Sequence, residues 1–101
     1  LKKGTIMKKL KFEGAANVGE VIRGYDFKPM QGRNDCYVEG VVEAVTNEVG
    51  YKAFKVTCTK DVFDGKENKR GEKGSRVGKI VFVPMETSFM EFDARIINLS
   101  K

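Results

Sequence analysis

Two arms of strict alternation constrain this chain more than any other feature. Cys36, Val38, Gly40, Val42 and Ala44 fall on one face of an extended segment, and Tyr37, Glu39, Val41, Glu43 and Val45 fall on the other. Further on, Phe54, Val56 and Cys58 share a face, while Ala53, Lys55, Thr57 and Thr59 share the opposite one. Successive side chains of a strand leave opposite faces of a sheet, so a period of two marks half-buried antiparallel strands. The pattern predicts a hairpin from Cys36 to Asp61, with its turn within Thr46–Gly50. If Val45 pairs with Val49, Cys36 falls opposite Cys58. A two-residue shift makes the cysteines diagonal neighbours instead.

The remaining signals are also extended. Met7–Phe12 reads as an edge strand, with Ile6, Leu10 and Phe12 of one parity. A second segment runs from Val18 to Phe27, before a loop marked by Pro29, Gly32, Asn34 and Asp35. Residues 62–76 form a long polar loop with no aliphatic side chain after Val62. Arg76–Val83 reads as a strand buried on both faces, ended by Pro84. Thr87–Phe92 reads as a short strand or a helical turn, and Ala94–Leu99 as a last strand. No stretch shows a capped helical period. With 101 residues the chain is long enough for one domain. Five or six short strands in so small a chain favour a closed or nearly closed barrel, which removes exposed sheet edges. The expected architecture is therefore all-β. Residues 1–12 form a basic arm or edge strand, and residues 13–101 form a small antiparallel five- to six-stranded barrel.

Three stretches carry a resemblance: Val18-Gly-Glu-Val-Ile-Arg, the Cys36–Asp61 hairpin, and Arg76-Val-Gly-Lys-Ile-Val-Phe-Val-Pro. Together they resemble the SH3-like small barrels. The first is similar to the V-G-[DE]-x-V entry of translation- and transcription-associated barrels, with the second valine one residue early at Val21. The resemblance implies a small barrel fold over roughly residues 18–99. The peptide-binding SH3 signature is not met, since there is no Trp and no acidic run in the first long loop. An oligonucleotide-binding five-stranded barrel is the nearest alternative. Such domains usually place a helix before the fourth strand, and residues 62–76 carry no apolar stripe for one. The chain also resembles orphan proteins of bacteriophage genomes. None of these likenesses transfers a function by itself.

Catalytic signals fail on chemistry or on spacing. The chain has no His, which removes Ser–His and Cys–His pairs and the commonest metal ligand. Cys36 and Cys58 are too few for a four-cysteine zinc site and read as reduced, buried thiols, with a cross-strand disulfide as the alternative. Gly71-Glu-Lys-Gly-Ser-Arg-Val-Gly-Lys-Ile departs from phosphate-loop spacing, and a strand follows it where a helix should start. Asp61-Val-Phe-Asp-Gly lacks the carboxylate spacing of a calcium loop. Glu86, Glu91 and Asp93 read as a solvated turn. The expectation is a non-enzymatic chain with no catalytic residues, no metal and no cofactor.

Charge supplies the candidate function. The net charge is +5, but Lys2, Lys3, Lys8, Lys9 and Lys11 lie in a stretch without acids, and the remainder is balanced. A second basic region, residues 60–79, holds seven cations against four acids. Lys66, Lys69, Arg70, Lys73 and Arg76, with Lys8 and Lys9 from the arm, are the candidate nucleic-acid contacts. Tyr25, Phe27, Tyr37 and Tyr51 are candidate stacking surfaces. The alternative is a structural or assembly protein that self-associates or docks on a protein partner. Its candidate interface is Phe89, Met90 and Phe92. No apolar run approaches the roughly 20 residues of a membrane span, and no secretory signal is present, so a cytoplasmic location is expected and a membrane partner is not.

Overall fold

The computed structural model describes residues 10–27, 32, 34–87 and 94–101. Lys8, Lys9, Phe89, Met90 and Phe92 lie outside the described residues. In chain order the strands are β1 (Leu10–Lys11), β2 (Val21–Tyr25), β3 (Tyr37–Thr46), β4 (Ala53–Phe63), β5 (Lys66–Glu67), β6 (Ile80–Pro84), β7 (Glu86–Thr87) and β8 (Ile96–Asn98). Every pairing is antiparallel. Among the described residues there is no helix, hence none long and apolar enough to cross a membrane.

The predicted hairpin is present as β3 and β4, the longest pair among the described residues. Its inward residues Val38, Val42, Phe54, Val56 and Cys58 are all buried, as their alternation requires. Its turn lies later than Val45–Val49 pairing would put it. Thr46 pairs with Ala53, and the Thr46 hydroxyl accepts from the Glu48 N–H at 3.0 Å. Gly50 adopts φ 92° and its N–H donates to the Asn47 carbonyl, a backbone turn that side chains rarely tolerate. The cysteines are therefore neither opposite nor diagonal. Cys58 faces Gly40, and Cys36 lies beyond the start of β3. Both thiols are free. The Asp64 N–H donates to Cys36 Sγ, and Cys58 Sγ–H donates to the Lys60 carbonyl.

The main sheet runs β8-β2-β3-β4, and the far edge of β4 is shared by β6 and β5. β6 covers Ala53–Thr57, and β5 covers Val62–Phe63. This six-stranded sheet curls on itself. A Cβ on Gly24 of β2 would meet the Val83 side chain of β6 at 2.7 Å, although β3 and β4 separate those strands. The curl encloses a core centred on Ile22, Val42, Phe54, Val56, Cys58 and Met85. Among the described residues no ladder joins β8 to β6, so the sheet is open. A separate two-stranded ladder pairs β1 with β7. It is held to the sheet through buried Met85, which donates to the Lys52 carbonyl and accepts from the Phe12 N–H.

Two other expectations change. β6 starts at Ile80 instead of Arg76, because Gly78 at φ 86° and a Lys79 N–H to Arg76 carbonyl bond turn the chain there. Ile80 is 46% exposed, so β6 is not buried on both faces. Residues 62–76 are also not one open loop. Asp64 and Gly65 take φ 55° and 75°, the two positive values of a tight hairpin turn that matches strand twist.

Gly40 gives a direct test of the pairing. A Cβ there would collide with the Thr57 carbonyl oxygen and meet Val56 Cγ1 at 2.5 Å, and a backbone atom cannot rotate away. Gly40→Ala is expected to cost about 3 kcal/mol and to lower Tm by about 10–20 °C. Gly24→Ala, which meets only a valine side chain, should cost less. Urea unfolding of both variants checks this. Equal midpoints for Gly40→Ala and the parent would contradict the close approach of β3 and β4.

Candidate functional site

Near the end of β4 a carboxylate is buried where sheet parity would have put it outside. Asp61 is 1% exposed. The cause is a bulge: Gly40 pairs with Cys58 but Glu39 pairs with Lys60, so Thr59 is the extra residue. The inward face of Cys58 therefore resumes at Asp61. Bulges re-aim side chains in this way.

A buried carboxylate is tolerated only when paired and hydrogen-bonded. Arg76 supplies the pairing. Its backbone N–H donates to Asp61 Oδ2 at 3.0 Å, and its Nε and Nη2 donate to Oδ1 at 3.0 and 2.7 Å. The same guanidinium reaches Asp26 with Nη1 to Oδ1 at 3.1 Å and Nη2 to Oδ2 at 3.0 Å. Asp26 is positioned by its own N–H, which donates to the Cys36 carbonyl at the entry to β3. One arginine thus clamps the ends of β2 and β4. Arg95 lies within electrostatic reach of Asp26, and its buried Nε has no hydrogen-bond partner among the described residues.

The loop after β5 is built on this clamp. The Asp61 carbonyl accepts from the Asn68 N–H at 2.8 Å. The buried Ser75 hydroxyl donates to the Asn68 carbonyl at 2.9 Å. Between them Glu72 Oε1 accepts from the Lys69 N–H, and the Glu72 N–H donates back to the Lys69 carbonyl. The return to the sheet is fixed by a Gly78 N–H to Cys58 carbonyl bond at 2.8 Å. Lys66, Lys69, Arg70 and Lys73 remain exposed, and none is in an ion pair among the described residues. Arg70 lies over Gly78, where a Cβ would come within 2.5 Å of its Nη1. Of the five candidate contacts between Lys66 and Arg76, four are therefore available to a ligand, and Arg76 faces carboxylates.

A cleft of about 460 Å³ opens beside the clamp, lined by Asp26, Phe27, Phe63, Asn68, Lys73 and Arg76 among others. Phe27 and Phe63 are each 53% exposed. Of the other candidate stacking residues, Tyr25 and Tyr37 pack together at 5.3 Å, with the Arg23 guanidinium 4.4 Å from the Tyr37 ring and paired to Glu39. Tyr51 is exposed near the β3–β4 turn. Among the described residues no three His, Cys, Asp or Glu side chains converge to hold a metal ion. The clamp and Phe63 were absent from the sequence reading. The Asp64-Gly65 pair was the available signal, since Asp-Gly after a strand marks a tight hairpin.

Burial pushes the Asp61 carboxyl up, but the hydrogen bonds and charge of Arg76 outweigh it and hold it below the usual carboxylate range. For Arg76 burial acts against the charge, and bonding to Asp26 and Asp61 reverses that, so the guanidinium stays protonated. A carboxyl lowered by folding stabilises the fold above its unfolded pKa. That contribution is lost as pH falls through the folded value. Wild-type stability should therefore decline below about pH 4. Asp61→Asn should lose about 3 kcal/mol at pH 7, because it leaves Arg76 short of a partner, and its decline in acid should be shallower. Urea midpoints at pH 7 and pH 3 measure both. Parallel acid dependence in the two proteins would exclude Asp61 as a source.

No model of a known protein family, no curated protein and no solved structure matches this chain.

Proposed function

We propose that this chain is a cytoplasmic, non-catalytic binding module that holds nucleic acid on an SH3-like small-barrel scaffold. The observation that carries the reading is the exposed set of Lys66 on β5 with Lys69, Arg70 and Lys73 on the following loop, whose backbone is fixed by Asp61, Asn68, Ser75 and Arg76. Phosphate contacts release counterions, so a cationic surface of this kind binds in a salt-dependent manner. A loop ordered before binding loses less conformational entropy when the ligand arrives. Arg76 acts as the positioning residue. Asp61 lies beneath the guanidinium, neutralised, and does not oppose an incoming phosphate. Glu72 is engaged by the Lys69 N–H, and Asp64 accepts from Asn34 Nδ2. The basic arm, with Lys8 and Lys9, adds long-range attraction.

Lys69→Ala, Arg70→Ala and Lys73→Ala combined should weaken binding to all sequences alike. The slope of log affinity against log salt should fall by about 2–3, as expected for three lost phosphate contacts. Fluorescence anisotropy over a salt series measures it. An unchanged slope, or a parent protein that binds no polyanion at low salt, would overturn the reading.

A second reading, assembly through a protein contact, is favoured by a different surface. Val45, Val49 and Tyr51 are all exposed around the β3–β4 turn. Under that reading the parent protein self-associates with rising concentration, and Val49→Asp restores the monomer in sedimentation equilibrium. A parent protein that stays monomeric at high concentration would count against self-association.

A further inference from the structure

We infer that the cleft between Phe27 and Phe63 takes an unpaired base of a single-stranded nucleic acid, with an adjacent phosphate on Lys73. The inference rests on the binding reading above and specifies the ligand class and its seat. Its first support is aromatic surface. Phe54 and Phe12 are buried in the core, whereas Phe27 and Phe63 each leave about half their surface in water and line the same cleft. A phenyl face stacks on any base, and such contacts tolerate every sequence. The cleft volume, about 460 Å³, falls in the range of about 300–1,000 Å³ typical of small-ligand sites.

The second support is charge. Aromatic walls above carboxylates would ordinarily suit a cationic ligand. Here that place is already taken, because Arg76 bonds both Asp26 and Asp61, and Arg95 adds a second guanidinium near Asp26. The carboxylates are compensated, and Lys73 stands among the lining residues outside any ion pair of the described residues. Such a site accepts an anion with a flat apolar body. Gly74, with no side chain and φ 80°, leaves open space beside Lys73, where a Cβ would meet nothing within 4 Å.

The third consideration is access. Bases inside a duplex are stacked and cannot enter a side cleft, whereas single strands can splay a base out. The cleft therefore discriminates strand state, and the lysines of the loop do not.

The test compares a single-stranded oligothymidylate, an abasic deoxyribose-phosphate chain of the same length, and a blunt duplex, each by anisotropy at low salt. The single strand should bind tighter than the abasic chain. Phe63→Ala should weaken the single strand about tenfold and leave the abasic chain unchanged. Lys73→Ala should weaken both. Phe63→Trp provides a readout independent of affinity, with indole emission quenched by the base-bearing strand and not by the abasic one. Circular dichroism and the urea midpoint verify that each variant folds. Equal affinity for abasic and base-bearing strands, or an unchanged single-strand affinity in Phe63→Ala, would overturn the inference and leave the electrostatic reading intact. Failure of all three polymers to bind the parent protein would overturn both.

Discussion

Asp61 is a charge in the interior of a small domain, and the arrangement around it follows from that cost. An unpaired ionised carboxylate there would lose several kcal/mol of solvation. Arg76 compensates it with three hydrogen bonds, one from its backbone and two from its guanidinium. Because Arg76 lies fifteen residues downstream, closing this contact draws the intervening chain onto the end of β4. The same guanidinium then takes Asp26, which links the end of β2 to the same point. A contact between unlike charges thus does here what apolar packing does under the rest of the sheet.

That clamp separates two populations of charge that look alike in composition. Seven cations lie between residues 60 and 79, and nothing in their spacing distinguishes Arg76 from Lys73. In the fold Arg76 is a partly buried structural cation, while Lys66, Lys69, Arg70 and Lys73 face solvent. The local excess of positive charge survives, because the clamp removes cation and carboxylate together. The exposed basic surface is therefore a by-product of folding chemistry: Arg76, which fixes the loop, is engaged by Asp26 and Asp61.

Much of the sheet was legible because alternation is a local property. Val38, Val42, Phe54, Val56 and Cys58 are buried as their parity requires. Parity fails where a residue is inserted. The bulge at Thr59 shifts the inward face from Lys60 to Asp61. Hydrophobic pattern alone does not reveal such insertions, and the site sits directly after one. The turn falls within Thr46–Gly50 as expected, closed by Gly50, while the register across it is set by Thr46 pairing with Ala53 and not by Val45 pairing with Val49. Long-range partners such as Asp26 and Arg76, fifty residues apart, leave no trace in spacing.

The central claim is that the basic loop is ordered by Asp61 before any ligand arrives. Amide hydrogen exchange on the free protein tests it directly. The amides of Asn68, Ser75, Arg76 and Gly78 each have an acceptor inside the fold. The account predicts that they exchange slowly in the parent protein. In Asp61→Asn the amides of Asn68, Ser75 and Arg76 should speed up while those of β3 keep their protection. Exchange of these amides at the rate of an open chain in the parent protein would contradict it.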